Sequence, residues 1–178
     1  MEIVMFFRIF ENLGFVRNFI RKRIVMPHTY TQIYIHAVFA VKNRVSLIDS
    51  SWRERLHRYM GGVIRNHGHS AIAVGGVGDH VHIFFGLRPA QTISSIMRHV
   101  KGSSSEWVNR ERFTSGRFEW QGGYGAFSYA KSQVPVVRRY IKNQERHHRK
   151  KSFIEEYRQN LKDFGVEYKN EFIFHSVN

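Results

Sequence analysis

The chain has 178 residues, enough for one domain with a sizeable core and too few for a comfortable second. Lys and Arg number 28 against 14 Asp and Glu, a formal charge of +14 with the 11 histidines neutral, which points to a polyanionic partner. Aromatic residues make up 15% of the chain and favour stacking on single-stranded or distorted nucleic acid over a membrane surface, while the lack of cysteine excludes disulfides and thiolate metal sites.

Residues 1–25 stand apart. Phe6, Phe7, Ile9, Phe10, Phe15, Phe19 and Ile20 are interspersed with Arg8, Arg17, Arg21, Lys22 and Arg23. These charges interrupt any run long enough to span a bilayer, and the basic cluster follows the apolar part, so neither a transmembrane helix nor a secretory signal fits. A cytoplasmic location is expected. An amphipathic surface helix is one reading of this stretch. The other takes Met26-Pro27-His28 as a second start, with residues 1–25 an extension outside the fold and residues 26–178 the functional domain.

From Tyr30 to Lys42, Ile33, Ile35, Ala37, Phe39 and Val41 alternate with Gln32, Tyr34, His36 and Val38, which predicts a long strand. Ser51 and Glu54 form a capping-box pattern opening a helix with Trp52, Leu56, Tyr59, Met60, Val63 and Ile64 on one stripe, ending near Gly68. Ala71–Val77 predicts a second strand, and Gly78-Asp79 reads as a two-residue hairpin turn. The next strand is His80-Val81-His82-Ile83-Phe84-Phe85. Its two-residue period puts His80, His82 and Phe84 on one face and Val81, Ile83 and Phe85 on the core face. Two imidazoles at i and i+2 on a rigid strand form a preorganised metal half-site. Alone, such a pair also suits a solvated sheet face. Asp79 is accounted for by the turn.

A second helix opens at Gln91-Thr92 with Ile93, Ile96, Met97, Val100, Trp107 and Val108 on its apolar stripe, and Arg98 and Lys101 elsewhere on it. Phe118, Trp120, Tyr124, Phe127 and Tyr129, broken by Gly122-Gly123 and Gly125, predict an irregular fourth strand. The order is β-α-β-β-α-β, an α+β, ferredoxin-like or RRM-like antiparallel sheet with both helices on one face and the other face open. Its first and third strands are central, which sets His80 and His82 mid-sheet near Tyr34 or His36. Two extra C-terminal helices follow, one over about Gln133–His148 and one opened by a Ser152/Glu155 capping box and stopped at Gly165. Val166–Phe174 is a strand or a packed tail.

In the first of these extra helices Tyr140 and Gln144 share a face beside the Val134, Val137 and Ile141 stripe. A helical tyrosine among Arg138, Arg139 and Lys142 also suits a surface position. A phenol is a poor nucleophile at neutral pH and needs a phosphodiester whose charge is neutralised and whose phosphorus is held in line, which a metal on the histidines would provide. Two imidazoles and a Gln amide oxygen would leave such an ion doubly positive with open positions, favouring Mg²⁺ or Mn²⁺ over a closed zinc site.

His80-Val81-His82 followed by Tyr140-Ile141-Lys142-Asn143-Gln144 resembles the HUH single-tyrosine transposases of small bacterial insertion sequences, the IS200-like transposases. The likeness runs from about Tyr30 to Phe174. It takes in Tyr30-Thr31-Gln32-Ile33-Tyr34-Ile35-His36, the Gly122–Tyr129 stretch and His147-His148-Arg149-Lys150-Lys151-Ser152-Phe153. The resemblance implies His80 and His82 as metal ligands, Gln144 as the third and Tyr140 as the nucleophile. It also implies cleavage and rejoining of single-stranded DNA through a 5′-phosphotyrosine, recognition of hairpins at element ends, and a homodimer in which the tyrosine helix of one subunit can complete the site of the other, with Lys131-Ser132-Gln133 as a hinge. Arg98, Lys101, Arg138, Arg139 and Lys142 are candidate DNA contacts, as are Arg149, Lys150 and Lys151. A domesticated hairpin nickase would present the same motifs. A non-catalytic RRM-like binding module would not need the histidines and tyrosine together, a replication or conjugative nickase would be longer, and a metal hydrolase would gather more carboxylates.

Overall fold

The chain divides into two units, Met1–Tyr30 and Thr31–Asn178. The computed structural model describes residues 30–149 and 151–173, so the extension at residues 1–25 lies outside the described residues. The second unit begins β1 (Tyr34–Ala40), α1 (Ser50–Asn66), β2 (Ser70–Gly76), β3 (His80–Gly86), α2 (Ile93–Arg110) and β4 (Gly125–Tyr129), the βαββαβ order expected. The strands pair antiparallel in the order β2-β3-β1-β4, with β1 and β3 central. β1 and β3 run in a register that sets Val38 opposite His82 and Ala40 opposite His80. An isolated Val41–Trp120 bridge extends the β4 edge, which is the irregularity that the glycines of that stretch predicted.

One face of the sheet carries the main core. Ile35, Ala37 and Phe39 of β1 and Val81, Ile83 and Phe85 of β3 pack against Trp52, Leu56, Met60 and Ile64 of α1 and Ile96, Met97, Val100 and Val108 of α2. Full burial of each large side chain contributes about 1.5–3 kcal/mol, and this layer fixes the direction in which alternate β3 residues point. The α1 cap differs from expectation. Asp49 is the N-cap, its side chain accepting from the Ser51 amide at 2.8 Å, so the helix starts before the Ser51/Glu54 pair can act as a box. The β2–β3 turn contains three residues, Val77 to Asp79, closed by a Val77 N–H to His80 carbonyl bond.

The opposite face is covered where an open one was expected, and the three short helices that cover it are α3 (Val134–Lys142), α4 (Gln144–His148) and α5 (Phe153–Asp163). Val137 and Ile141 of α3 pack on Ala73 and Phe84, while Phe153, Tyr157 and Leu161 of α5 pack on Val38, Ala40 and Phe127. Each lid seats at a glycine. A Cβ at Gly75 of β2 would lie 2.2 Å from the Ile141 carbonyl oxygen, and one at Gly125 of β4 would lie 2.7 Å from the Tyr157 ring. The two apolar clusters leave a strip between them, and the imidazoles of β1 and β3 occupy it.

The single helix expected over Gln133–His148 is broken. Asn143 leaves helical geometry at φ −104° and ψ 22°, and its N–H is shared by the Arg139 and Tyr140 carbonyls at 3.1 Å each. Residues Lys131–Gln133 form a 3₁₀ turn ahead of α3. The Ser152/Glu155 capping box of α5 is present, and Gly165 ends that helix at φ +62°. Past it the chain makes a 3₁₀ turn at Asn170–Phe172 and no strand among the described residues.

Candidate active site

Period-two alternation on β3 sends His80 and His82 into the strip under the lids, and both are fully buried. Each has one ring nitrogen engaged and the other without a hydrogen-bond partner. His80 Nδ1 donates to Asp79 Oδ1 at 2.7 Å, and Asp79 Oδ2 accepts from Arg44 Nη2 at 3.0 Å. His82 Nδ1 lies 2.9 Å from Nε2 of the buried His36 on β1. Nε2 of both His80 and His82 is buried without a hydrogen-bond partner. An imidazole oriented through one nitrogen and bare at the other is the form in which histidine ligates a metal. Asp79 thus does more than make the turn. Burial pushes its carboxyl up, but the hydrogen bonds from His80 and Arg44, with the guanidinium charge, outweigh this and hold it below the usual carboxylate range.

The lids bring two further groups that the sequence reading missed. His148 of α4 donates from Nδ1 to the Lys151 carbonyl at 3.0 Å, so its Nε2 carries a lone pair. That nitrogen lies 3.0 Å from Glu156 Oε2 of α5 and 2.8 Å from Gln144 Oε1. Glu156 Oε1 lies 3.4 Å from His82 Nε2. One donor atom from each of His80, His82, His148 and Glu156 falls within 4.8 Å of the others, a buried group able to hold a metal ion. Burial sets the protonation of this group. It holds His36 down at about 3 and His148 at about 4, lowers His82 well below the usual histidine value, and with the Asp79 charge lifts Glu156 to about 8. Neutral imidazoles are the ligating form. The sequence carried a signal for Glu156, because it interrupts the Phe153, Tyr157, Leu161 stripe at a position where a buried acid needs a partner.

Tyr140 hangs from α3 over the same strip. Its ring meets the His82 ring edge-on at 5.7 Å, His36 at 6.1 Å and His147 at 5.3 Å between centroids. Its hydroxyl oxygen is buried and has no hydrogen-bond partner. Beside it a cleft of about 480 Å³ is lined by Val136, Arg139, Tyr140, Asn143, Arg146 and His147. Gln144 is buried, between His148 and, at 3.4 Å from its Nε2, Glu156 Oε1.

The basic residues divide between the two faces. Arg138, Arg139 and Arg149 are exposed on the lid side, and Lys142 is exposed in a second cleft with Arg53 and His57. Lys151 is half-buried, and Lys150 lies outside the described residues. Arg98 and Lys101 stand on α2, across the sheet from the histidines, and Lys101 Nζ donates to the Gln121 and Gly123 carbonyls at 2.6 and 2.7 Å.

The antiparallel βαββαβ sheet gathers its imidazoles beneath a helical tyrosine, and the sequence comparison places the chain in a family. Residues 29–144 match the family model described as transposase IS200-like, and since that span exceeds half of the chain, the protein belongs to this family. Among solved structures, a candidate transposase from Deinococcus radiodurans R1 is 18% identical with a TM-score of 0.51, covering 66% of this chain and 95% of that one, a likeness of fold. A REP-associated tyrosine transposase bound to a REP hairpin is 16% identical with a TM-score of 0.48, covering 65% of this chain and 68% of that one. No curated protein matches the chain.

Proposed function

We propose that this transposase cleaves and rejoins single-stranded DNA by metal-assisted transesterification, with Tyr140 as the nucleophile. The observation that carries the reading is the position of Tyr140, edge-on to His82 with its hydroxyl free of any hydrogen-bond partner. His80, His82 and Gln144 would hold a divalent ion, Mg²⁺ or Mn²⁺. When bound, the ion neutralises the scissile phosphate and polarises it toward attack. The bond from the Tyr140 oxygen to phosphorus forms as the bond from phosphorus to the 3′-oxygen breaks. The phenol gives up its proton, the 3′-oxygen gains one, and the product is a 5′-phosphotyrosine with a free 3′-hydroxyl. The phosphodiester bond energy stays in this link, so rejoining needs no nucleotide cofactor.

Arg139 and Arg146 line the cleft beside Tyr140 and can hold the phosphates that flank the reacting one. Arg138, Lys142, Arg149 and Lys151 extend the cationic surface on the lid side, Lys150 is a candidate contact from the sequence alone, and Arg98 and Lys101 are set to meet a more distant part of the DNA. Family membership supports hairpins at element ends as the substrate and a homodimer as the working form. α3 seats on its own sheet at Gly75, which supports a site completed within one subunit. Exchange through Lys131–Gln133 would first have to undo that seating. Among the described residues no helix is long and apolar enough to cross a membrane, in keeping with action on DNA in the cytoplasm.

The test is strand cleavage of hairpin-bearing single-stranded oligonucleotides from the DNA flanking the gene, with Mg²⁺ or Mn²⁺. Wild type should give a covalent adduct on a denaturing gel, and Tyr140→Phe and His82→Ala should give none. Tight binding without cleavage would replace this reading with a binding module. Mixed His80→Ala and Tyr140→Phe subunits should stay inactive if each site is completed in one chain and recover activity if tyrosine helices are exchanged.

A further inference from the structure

We infer that His148 and Glu156 are themselves ligands of the ion at His80 and His82, so that three imidazoles and a carboxylate join Gln144 in a centre that prefers Mn²⁺ and similar transition ions to Mg²⁺. This rests on the reading of the cluster as a metal site and extends it to residues that nothing in the family match supplies. Both lie beyond residue 144, where that match ends. The C-terminal lid helices therefore complete the centre.

Donor spacing is the first support. Atoms about 2.1 Å from a common ion sit roughly 3.0–3.4 Å apart when adjacent and about 4.2 Å apart when opposite. His148 Nε2 is 3.0 Å from Glu156 Oε2 and His82 Nε2 is 3.4 Å from Glu156 Oε1, adjacent-ligand spacings to the two oxygens of one carboxylate, and the four donors lie within 4.8 Å of one another, so the widest pair has to close by at most about 0.6 Å to share an ion. The second support is hydrogen-bond chemistry. Nδ1 of His80 faces a carboxylate and Nδ1 of His148 faces a backbone carbonyl, acceptors that require both nitrogens to be N–H donors. In the neutral, ligating form both Nε2 atoms carry the lone pair, and the His148 one faces Glu156 and Gln144 oxygens. Lone pairs and oxygens converging in a buried strip suit a cation held among them. Selectivity follows from the donor types. Mg²⁺ keeps oxygen ligands and several waters, whereas imidazole nitrogens favour the borderline transition ions.

The experiment is a Mn²⁺ titration of the full chain followed by electron paramagnetic resonance of free Mn²⁺, with Mg²⁺ as competitor. Wild type should bind one Mn²⁺ and release it only to about 100-fold or greater Mg²⁺ excess. His148→Gln and Glu156→Gln should each weaken binding by about 10-fold or more, with unchanged circular dichroism. Electron spin-echo modulation of wild-type-bound Mn²⁺ needs no variant and should count three imidazole nitrogens. Two nitrogens, wild-type affinity in both variants, or displacement by equimolar Mg²⁺ would overturn this ligand set while leaving a metal at His80 and His82. No Mn²⁺ binding by wild type would remove the metal centre itself, a separate outcome.

Discussion

Gly75→Ala perturbs the placement of the tyrosine from the β2 position paired with His82, adding only a methyl group there. The new Cβ would lie 2.2 Å from the Ile141 carbonyl oxygen and 3.1 Å from its carbon, both backbone atoms. No rotamer relieves a contact with backbone, so α3 must retreat by about 1 Å to reach ordinary van der Waals separation. Ile141 is the neighbour of Tyr140, and the nucleophile moves with it. Overpacking of this kind costs about 1–3 kcal/mol of stability, and a misplacement of about 1 Å can cost 10²-fold in rate. Single-turnover adduct formation, with thermal unfolding measured in parallel, should show a large rate loss beside a modest drop in Tm. Gly62→Ala is the matched control, because a Cβ there meets nothing within 4 Å and adds about 0.5–1 kcal/mol of helix stability. A folded Gly75→Ala protein that forms adduct at the wild-type rate would show that the Gly75–Ile141 approach is no part of the reacting conformation.

Asp79→Asn should weaken Mn²⁺ binding about 10–100-fold through loss of the anionic acceptor on His80, read by the same titration, whereas unchanged affinity would return Asp79 to a turn role. Burial holds the His57 imidazole at about 4 against 6.5 in the open chain, so its contribution to folding is complete above pH 6.5 and is lost as pH falls toward 4, by up to about 3 kcal/mol. His57→Gln should therefore flatten the decline of urea midpoints across that window, and an unaltered slope would assign the decline to other groups. Hairpin-DNA affinity should fall steeply with salt, and Arg139→Ala should lower the slope of log K against log salt by about 1, as expected for one phosphate contact.

The sheet and the β3 half of the site were legible because a two-residue period carries its own geometry, so His80 and His82 had to share the face opposite Val81 and Ile83. That Tyr140 and Gln144 share a face was legible from their spacing, their proposed roles came only from the family resemblance, and the break at Asn143 shows that spacing alone did not fix how they sit. The closed second face was not legible. It depends on α3 and α5 folding back onto the sheet at Gly75 and Gly125, contacts between residues far apart in sequence that no local pattern encodes. For the same reason His148 read as the last residue of one helix and Glu156 as part of a capped one, and their convergence with β3 emerges only in three dimensions. Asp79 was undervalued because a turn position explained it without reference to its side chain, which bonds His80 and Arg44.

The most direct measurement of the central claim is peptide mapping by mass spectrometry of the covalent product formed with a single-stranded hairpin substrate and Mn²⁺. The account predicts one modified residue, Tyr140, joined to the 5′-phosphate of the downstream fragment, with a free 3′-hydroxyl on the other. A nucleotide on any other side chain, or cleavage that yields a 5′-phosphate with no protein attached at any time, would contradict it.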